Sequence, residues 1–159
     1  DELFYAIRKL HKEYGKKVVL DIVGFFEDEY KGEVEKLAED GIAVFHGLKE
    51  DPRPYYKAAD CIVLPSYHEG MSNVLLEAAS TGRPVVTSKI PGCMESVEDG
   101  TTGYLCQVKN AHSLYQKMNE IYHKSRADRE EMGKCATHKM AREFAKDEVV
   151  KMTVGSVWR

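Results

Sequence analysis

Short, almost wholly apolar runs that alternate with helix-patterned segments restrict this chain more than any other feature of it. Val18 to Val23, Cys61 to Leu64 and Pro84 to Thr87 lack the polar-every-second-residue pattern of a strand with one wet face. Strands of that kind are buried on both sides, which in practice means a parallel sheet covered by helices. The intervening segments supply the helices. Leu3, Ile7, Leu10 and Tyr14 recur at helical spacing until Gly15, and Val34 and Leu37 mark one face within the charged stretch Glu29 to Glu39. A short strand over Ile42 to Phe45 and a short helix over Pro54 to Ala59 follow.

After Pro65 the pattern becomes helical over Val74 to Ser80, with Ser72 or Asn73 placed to cap its start and Gly82 its end. Gly92 to Val97 reads as a weak helix and Gly103 to Leu105 as a short edge strand. His112 to Tyr122 carries Leu114, Met118 and Ile121 on one face, and Arg126 to Phe144 continues as a charged helix. Asp147 to Trp158 reads as a last helix docking through Val150, Val154 and Trp158. The fold class is therefore α/β, a Rossmann-like parallel sheet with helices on both faces. At 159 residues the chain amounts to one domain, and a fold of that size buries about 68–70% of the surface its unfolded chain exposes. It opens on Asp1, directly in a helical pattern, and reads as a piece cut from something longer.

In open α/β sheets, ligands bind outside the carboxyl ends of the strands. Gly24, Gly47 and the loop Ser66 to Asn73 all fall there. The loop Gly70-Met71-Ser72-Asn73 opens a helix, whose first N–H groups and positive dipole end form a ready cradle for a diphosphate or a sugar hydroxyl. Glu69 precedes that helix and Glu77 lies on its second turn. Ionised carboxylates only accept hydrogen bonds, and two of them match the paired donors of vicinal hydroxyls. Spacing alone is weak evidence, since Glu27 and Glu35 stand equally far apart on a segment better read as a solvated face. A bland alternative also holds for the first pair, with Glu77 on the outer stripe of its helix and Glu69 closing a turn.

The run A-D-C-I-V-L-P-S from Ala59, E-G-M-S-N-V-L-L-E-A from Glu69, G-R-P-V-V from Gly82 and E-D-G-T-T-G-Y-L from Glu98 resembles the group 1 (GT4-like) retaining glycosyltransferases of the GT-B fold. Their signature is a pair of glutamates eight residues apart following a strand that ends in Leu-Pro-Ser. The resemblance extends more loosely through Val18 to Gly24, Phe45-His46-Gly47 and the helix after Asn110, and so covers most of the chain. It implies that residues 1–159 are the nucleotide-sugar (donor) binding domain, the C-terminal half of such an enzyme. Glu69, the catalytic residue by this reading, would accept from hydroxyls of the donor sugar, and Glu77 from the ribose. Backbone N–H groups from Gly70, Met71, Ser72, Asn73 and Val74 would meet the sugar or diphosphate, and the base would lie near Gly47, Leu48 and Lys49.

The same resemblance implies a nucleotide diphosphate sugar as donor, a UDP-sugar first among them, and no cofactor or metal. A saccharide or lipid-linked acceptor would be held by an N-terminal domain absent from this chain. Retention in the family is ascribed to a front-face mechanism in which the leaving phosphate helps deprotonate the acceptor, so no protein nucleophile is expected. The parent would work in polysaccharide or glycoconjugate synthesis in the cytoplasm, or peripherally at the inner face of the membrane, and the fragment alone should not turn over. The family's first strand and the basic residues after it would precede Asp1. That strand is central in the usual order, so the sheet here should show a gap or a rearranged pairing. Gly24-Phe25-Phe26 replaces the family's usual Gly-x-Gly, and Met94 stands where an Arg is common.

Other classes fit less well. A net charge of −3 gives no broad footprint for nucleic acid, although a local basic patch is compatible with it. Cys61, Cys93, Cys106 and Cys135 form no C-x-x-C and no metal-ligand spacing; Cys61 and Cys106 read as small core residues. No G-x-G-x-x-G follows the first strand, which disfavours a nicotinamide site. His46 and His68 flank the crevice, with His68 read as exposed or supporting. A non-catalytic nucleotide-sugar-binding or scaffold module, and an epimerase on the same fold, remain the alternatives.

Overall fold

A computed structural model of the chain describes residues 1–25 and 28–144. The helix expected over 147–158 lies outside the described residues. Six helices, α1 (Glu2–Tyr14), α2 (Lys31–Glu39), α3 (Arg53–Ala58), α4 (Asn73–Ser80), α5 (Ala111–His123) and α6 (Arg126–Glu143), are interleaved with five strands. These are β1 (Leu20–Val23), β2 (Ala43–Gly47), β3 (Ile62–Leu64), β4 (Val85–Ser88) and β5 (Gly103–Cys106). All pairings are parallel.

The strands do not form one sheet. β1 pairs only with β2, and β3, β4 and β5 form a separate three-stranded sheet with β4 in the middle. Among the described residues nothing pairs with the outer edges of β1 and β3, which is the gap that the resemblance implies. The two halves are nevertheless joined by one hydrophobic core. Ala6, Ile7 and Leu10 of α1 and Leu114, Met118 and Ile121 of α5 pack in a single cluster that also takes in Leu20 and Ile22 of β1, Val63 of β3 and Val86 of β4. α1 thus spans the discontinuity. On the opposite face of the three-stranded sheet, Leu75 and Ala78 of α4 pack on Val85, Ile62 and Leu64. α6 lies outside α4 through Ala136 and Met140 against Ala79.

Local sequence explains most boundaries. Asn110 caps α5 by accepting from the Ser113 N–H at 2.9 Å. Ser125 and Asp128 form a reciprocal capping box at the start of α6. Gly133 is the contact point of α6, because a Cβ there would sit 2.0 Å from the Gly82 carbonyl oxygen; only glycine lets α6 approach this turn.

Some boundaries shift from the sequence expectation. Gly15 does not simply end α1 but opens a 3-10 turn, Gly15–Lys17, whose closing bond takes the Val18 N–H. β1 therefore begins at Leu20 rather than Val18. The weak helix over Gly92 to Val97 contracts to a 3-10 turn, Met94–Ser96. Of the two cysteines read as core, Cys106 is fully buried and Cys61 half-buried. Among the described residues no helix is long and apolar enough to cross a membrane.

Candidate functional site

The site expected at the carboxyl end of β3 is built by two glycine-bearing loops packed back to back. β3 ends at Leu64, and the chain turns through Ser66, His68 and Glu69 before entering α4 at Asn73. The second loop follows β4, at Pro91-Gly92-Cys93. A Cβ at Gly92 would lie 1.7 Å from the Gly70 carbonyl oxygen and 2.6 Å from that of Glu69, and Gly92 has φ +86°. Backbone therefore rests directly on backbone, and no other residue fits. The Gly92 carbonyl also accepts from the Ser72 N–H at 3.3 Å, while the Gly92 N–H donates to Glu95 at 2.7 Å. Gly92 fixes where the peptides from Glu69 to Ser72 stand; its role is tertiary, and only the I-P-G-C turn in the sequence hints at it.

Glu69 is half-buried, and the Ser66 hydroxyl donates to its Oε1 at 2.6 Å. Beneath it, Thr87 donates to the Leu64 carbonyl at 2.7 Å. The Cys93 thiol is pushed up by burial, partly offset by its hydrogen bond with Thr87, and the nearby Glu69 charge adds to the rise. The carboxylate is thus anchored on one side and open on the other. Ser72 stands at the N-cap of α4, fully buried, but its side chain makes no capping hydrogen bond. This corrects the expectation that Ser72 or Asn73 caps the helix. The consequence is chemical: the N–H groups of Asn73 and Val74 are left for another acceptor. That of Leu75 is taken by the Ser72 carbonyl and that of Ser72 by the Gly92 carbonyl, so Ser72, against the expectation, has no N–H to offer a diphosphate.

Glu77 lies on an exposed face of α4, as the bland alternative had it, yet it is not isolated. The Tyr56 hydroxyl of α3 stands near it; that hydroxyl's pKa is raised first by burial and then by the Glu77 carboxylate. Arg53, at the start of α3, is held by Asp51 at 2.7 and 2.9 Å and also feels the Glu77 charge. The adjacent Tyr55 packs on His46 with ring centroids 4.7 Å apart, and Lys49 stands 6.0 Å from the Tyr55 ring. Hence α3 links the Gly47, Leu48 and Lys49 loop to Glu77. Leu48 is 75% exposed beside it. Met71, Asn73 and Val74 are likewise exposed at the head of α4.

Sequence reasoning missed Ser66, Gly92, Arg53 and the two α3 tyrosines. The run Arg53-Pro54-Tyr55-Tyr56, immediately after the proposed base loop, was the available signal for α3. His68 is exposed, as read, whereas His46 is paired through Nε2 with Asp21 at 2.6 Å. Nearby, the Tyr67 hydroxyl donates to Glu2 of α1 at 2.6 Å, which ties the loop after β3 to the helix that spans the gap. Among the described residues no group of three His, Cys, Asp or Glu side chains could hold a metal ion.

Known proteins share this chain's sequence pattern and fold. The family profile described as glycosyl transferases group 1 matches residues 1–124. The chain is 31% identical over 99 residues to a lipopolysaccharide core biosynthesis glycosyltransferase, LpsE, of Rhizobium meliloti, covering 60% of this chain and 29% of that protein. It is 34% identical over 112 residues to the sulfoquinovosyl transferase SQD2 of Arabidopsis thaliana, covering 67% and 22%. The chain therefore spans less than a third of the length of these curated relatives. Among solved structures, S. aureus TarM in a complex that includes UDP superposes with a TM-score of 0.85 at 21% identity, covering 98% of this chain and 32% of that one. The C-terminal domain of a group 1 glycosyl transferase, LpcC, from Francisella tularensis gives 0.77 at 20% identity, covering 91% and 78%.

Proposed function

The chain belongs to the group 1 glycosyl transferases, and we propose that it is the donor-binding half of a retaining hexosyltransferase that uses a nucleotide diphosphate sugar, UDP-linked by preference. One observation carries the reading. Gly92 holds the Glu69 to Ser72 backbone in place while the head of α4 stays uncapped, so an acceptor carboxylate and free N–H donors stand side by side. Such a pair suits a sugar with hydroxyls at one end and a diphosphate at the other. Glu77, near Tyr56, takes the ribose hydroxyls, and the loop beside Tyr55 takes the base. TarM and the HepE protein of Anabaena were both solved with UDP, which supports the choice of nucleotide.

In this reading the bond from anomeric carbon to phosphate breaks on the same face on which the acceptor oxygen bonds. The acceptor proton passes to the departing phosphate, and no metal or cofactor takes part. The rest of the parent polypeptide supplies the acceptor domain, the strand that fills the slot between β1 and β3, and the cations for the diphosphate. Its acceptor is a saccharide or a lipid-linked one, met in the cytoplasm or at the inner membrane face, in polysaccharide or glycoconjugate synthesis.

Transfer by the full-length parent carrying Glu69→Ala tests the proposal. Loss of a hydrogen bond to a charged group is worth about 1.5–3 kcal/mol, so kcat/KM should fall about 10- to 100-fold with the melting temperature unchanged. Undiminished transfer would contradict the role of Glu69, and a physiological role that survives without transfer would favour a scaffold.

A further inference from the structure

The far end of the three-stranded sheet carries a second site of opposite character. A cleft of about 510 Å³ opens at the amino ends of β3 and β4, between the turn after α4 and the first half of α6. Arg83, Arg126, Arg129 and Lys134 line it, against Asp60 and Glu130. A chain with a net charge of −3 therefore gathers an excess of two positive charges in one hollow.

Its cations are incompletely matched. Arg129 is engaged through both terminal nitrogens, donating to the Lys124 carbonyl at 2.6 Å and to Asp60 at 3.2 Å. Arg126 meets Glu130 only through Nε, at 2.8 Å, which leaves both terminal nitrogens of an 87% exposed side chain to other acceptors. Lys134 makes only a loose exposed pair with Glu131 at 3.4 Å. Arg83 donates from Nη2 to the Lys57 carbonyl, and its Nε is buried with no hydrogen-bond partner among the described residues. The carbonyl ends of α3 and α4 point a partial negative charge toward this region, which accounts for Arg83 as a cap. It does not account for the free ends of Arg126 and Lys134, which project from α6.

We propose that this basal cleft binds a phosphate-bearing anion. Guanidinium forks match phosphate oxygens in pairs, and a phosphate monoester carries about 1.5 to 2 negative charges at neutral pH, close to the excess of the lining. The cleft holds more than a single carboxylate would fill, and it lies at the opposite end of the strands from Glu69.

Backbone amide spectra of the chain, titrated with inorganic pyrophosphate and separately with phosphatidylglycerol vesicles against phosphatidylcholine vesicles, test this. Saturable shifts at Gly82, Arg83 and Arg126 with pyrophosphate identify a free phosphate ligand; shifts at the same residues only with the anionic vesicles identify a lipid headgroup. In either case the paired change Arg126→Ala and Lys134→Ala, at exposed positions, should weaken the interaction at least about tenfold, or 1.4 kcal/mol. Shifts confined to Gly70 to Val74 would overturn the basal site while leaving the donor reading intact. So would an unchanged affinity in the double variant, or no response at the basal residues to either probe.

Discussion

The two half-sheets of this molecule are made from similar apolar runs and end up in different states. In the three-stranded half, β4 is paired on both edges, every one of its residues is buried, and both faces are covered. In the two-stranded half, among the described residues, only one face is covered: on the other, Val19 and Val44 are each 45% exposed, and Asp21 and His46 pair across it. The difference lies in neighbours rather than in strand propensity. A parallel strand buries both faces only when strands flank it and helices lie on each side. The Glu69, Gly70 and Gly92 part of the candidate site stands on the complete half, and the Gly47 to Lys49 part, after β2, is joined to it through α3. A donor site of the kind proposed, placed this way, would keep the Glu69 carboxylate independent of how the gap is filled.

Core truncations should separate the halves most strongly. Leu75→Ala, fully buried under the three-stranded sheet, is expected to cost about 2–5 kcal/mol, and Ile22→Ala in half-buried β1 less than about 2 kcal/mol. Urea denaturation of both variants reads this directly; equal losses would end the distinction. Gly92→Ala comes next. The added methyl would collide with the Gly70 carbonyl at positive φ, and overpacking of this kind costs about 1–3 kcal/mol, with the head of α4 displaced. A melting curve within a degree of wild type would show that the two loops are not clamped.

Cys61 offers a subtler probe, because it adjoins β3 at the gap. Desolvation pushes its thiol up to about 12, so alkylation at pH 8 should be far slower than for a free thiol while the core around it stays closed. Fast modification of the native chain would mean that the core around Cys61 is open. The smallest effect is acidic. The Tyr67 hydroxyl, ahead of partial burial, holds the Glu2 carboxyl below its usual 4.5. A depressed carboxylate contributes stability that is present above the unfolded pKa and lost as pH falls through the folded one. The link between α1 and the loop after β3 should therefore weaken only below about pH 4.5, and Tyr67→Phe should flatten that part of the stability profile.

The sequence made the elements legible because their signals are local: apolar runs for β3 and β4, Asn110 and Ser125 for the caps of α5 and α6, helical spacing for α1. The expected break in the sheet was equally legible, since a strand order is a property of the whole family pattern. What stayed hidden depends on contacts between distant residues. Nothing around Gly92 announces that it must lie against Gly70, and nothing in Val74 to Ala79 names Tyr56 as a neighbour of Glu77. Ser72 looked like a cap by type, but burial under the Gly92 loop takes its side chain away from the helix N–H groups. The basal cleft was hidden for the same reason, its cations coming from α6 and from the turn after α4.

The most direct test is a titration of the chain with UDP-glucose followed by amide shifts. The account predicts movement concentrated at Glu69 to Val74, with a second set at Gly47 to Lys49 relayed by α3, and loss of both when Gly92 is replaced by Ala. Saturable binding that moves neither set, or that survives Gly92→Ala unchanged, would contradict a donor site built on the clamped head of α4.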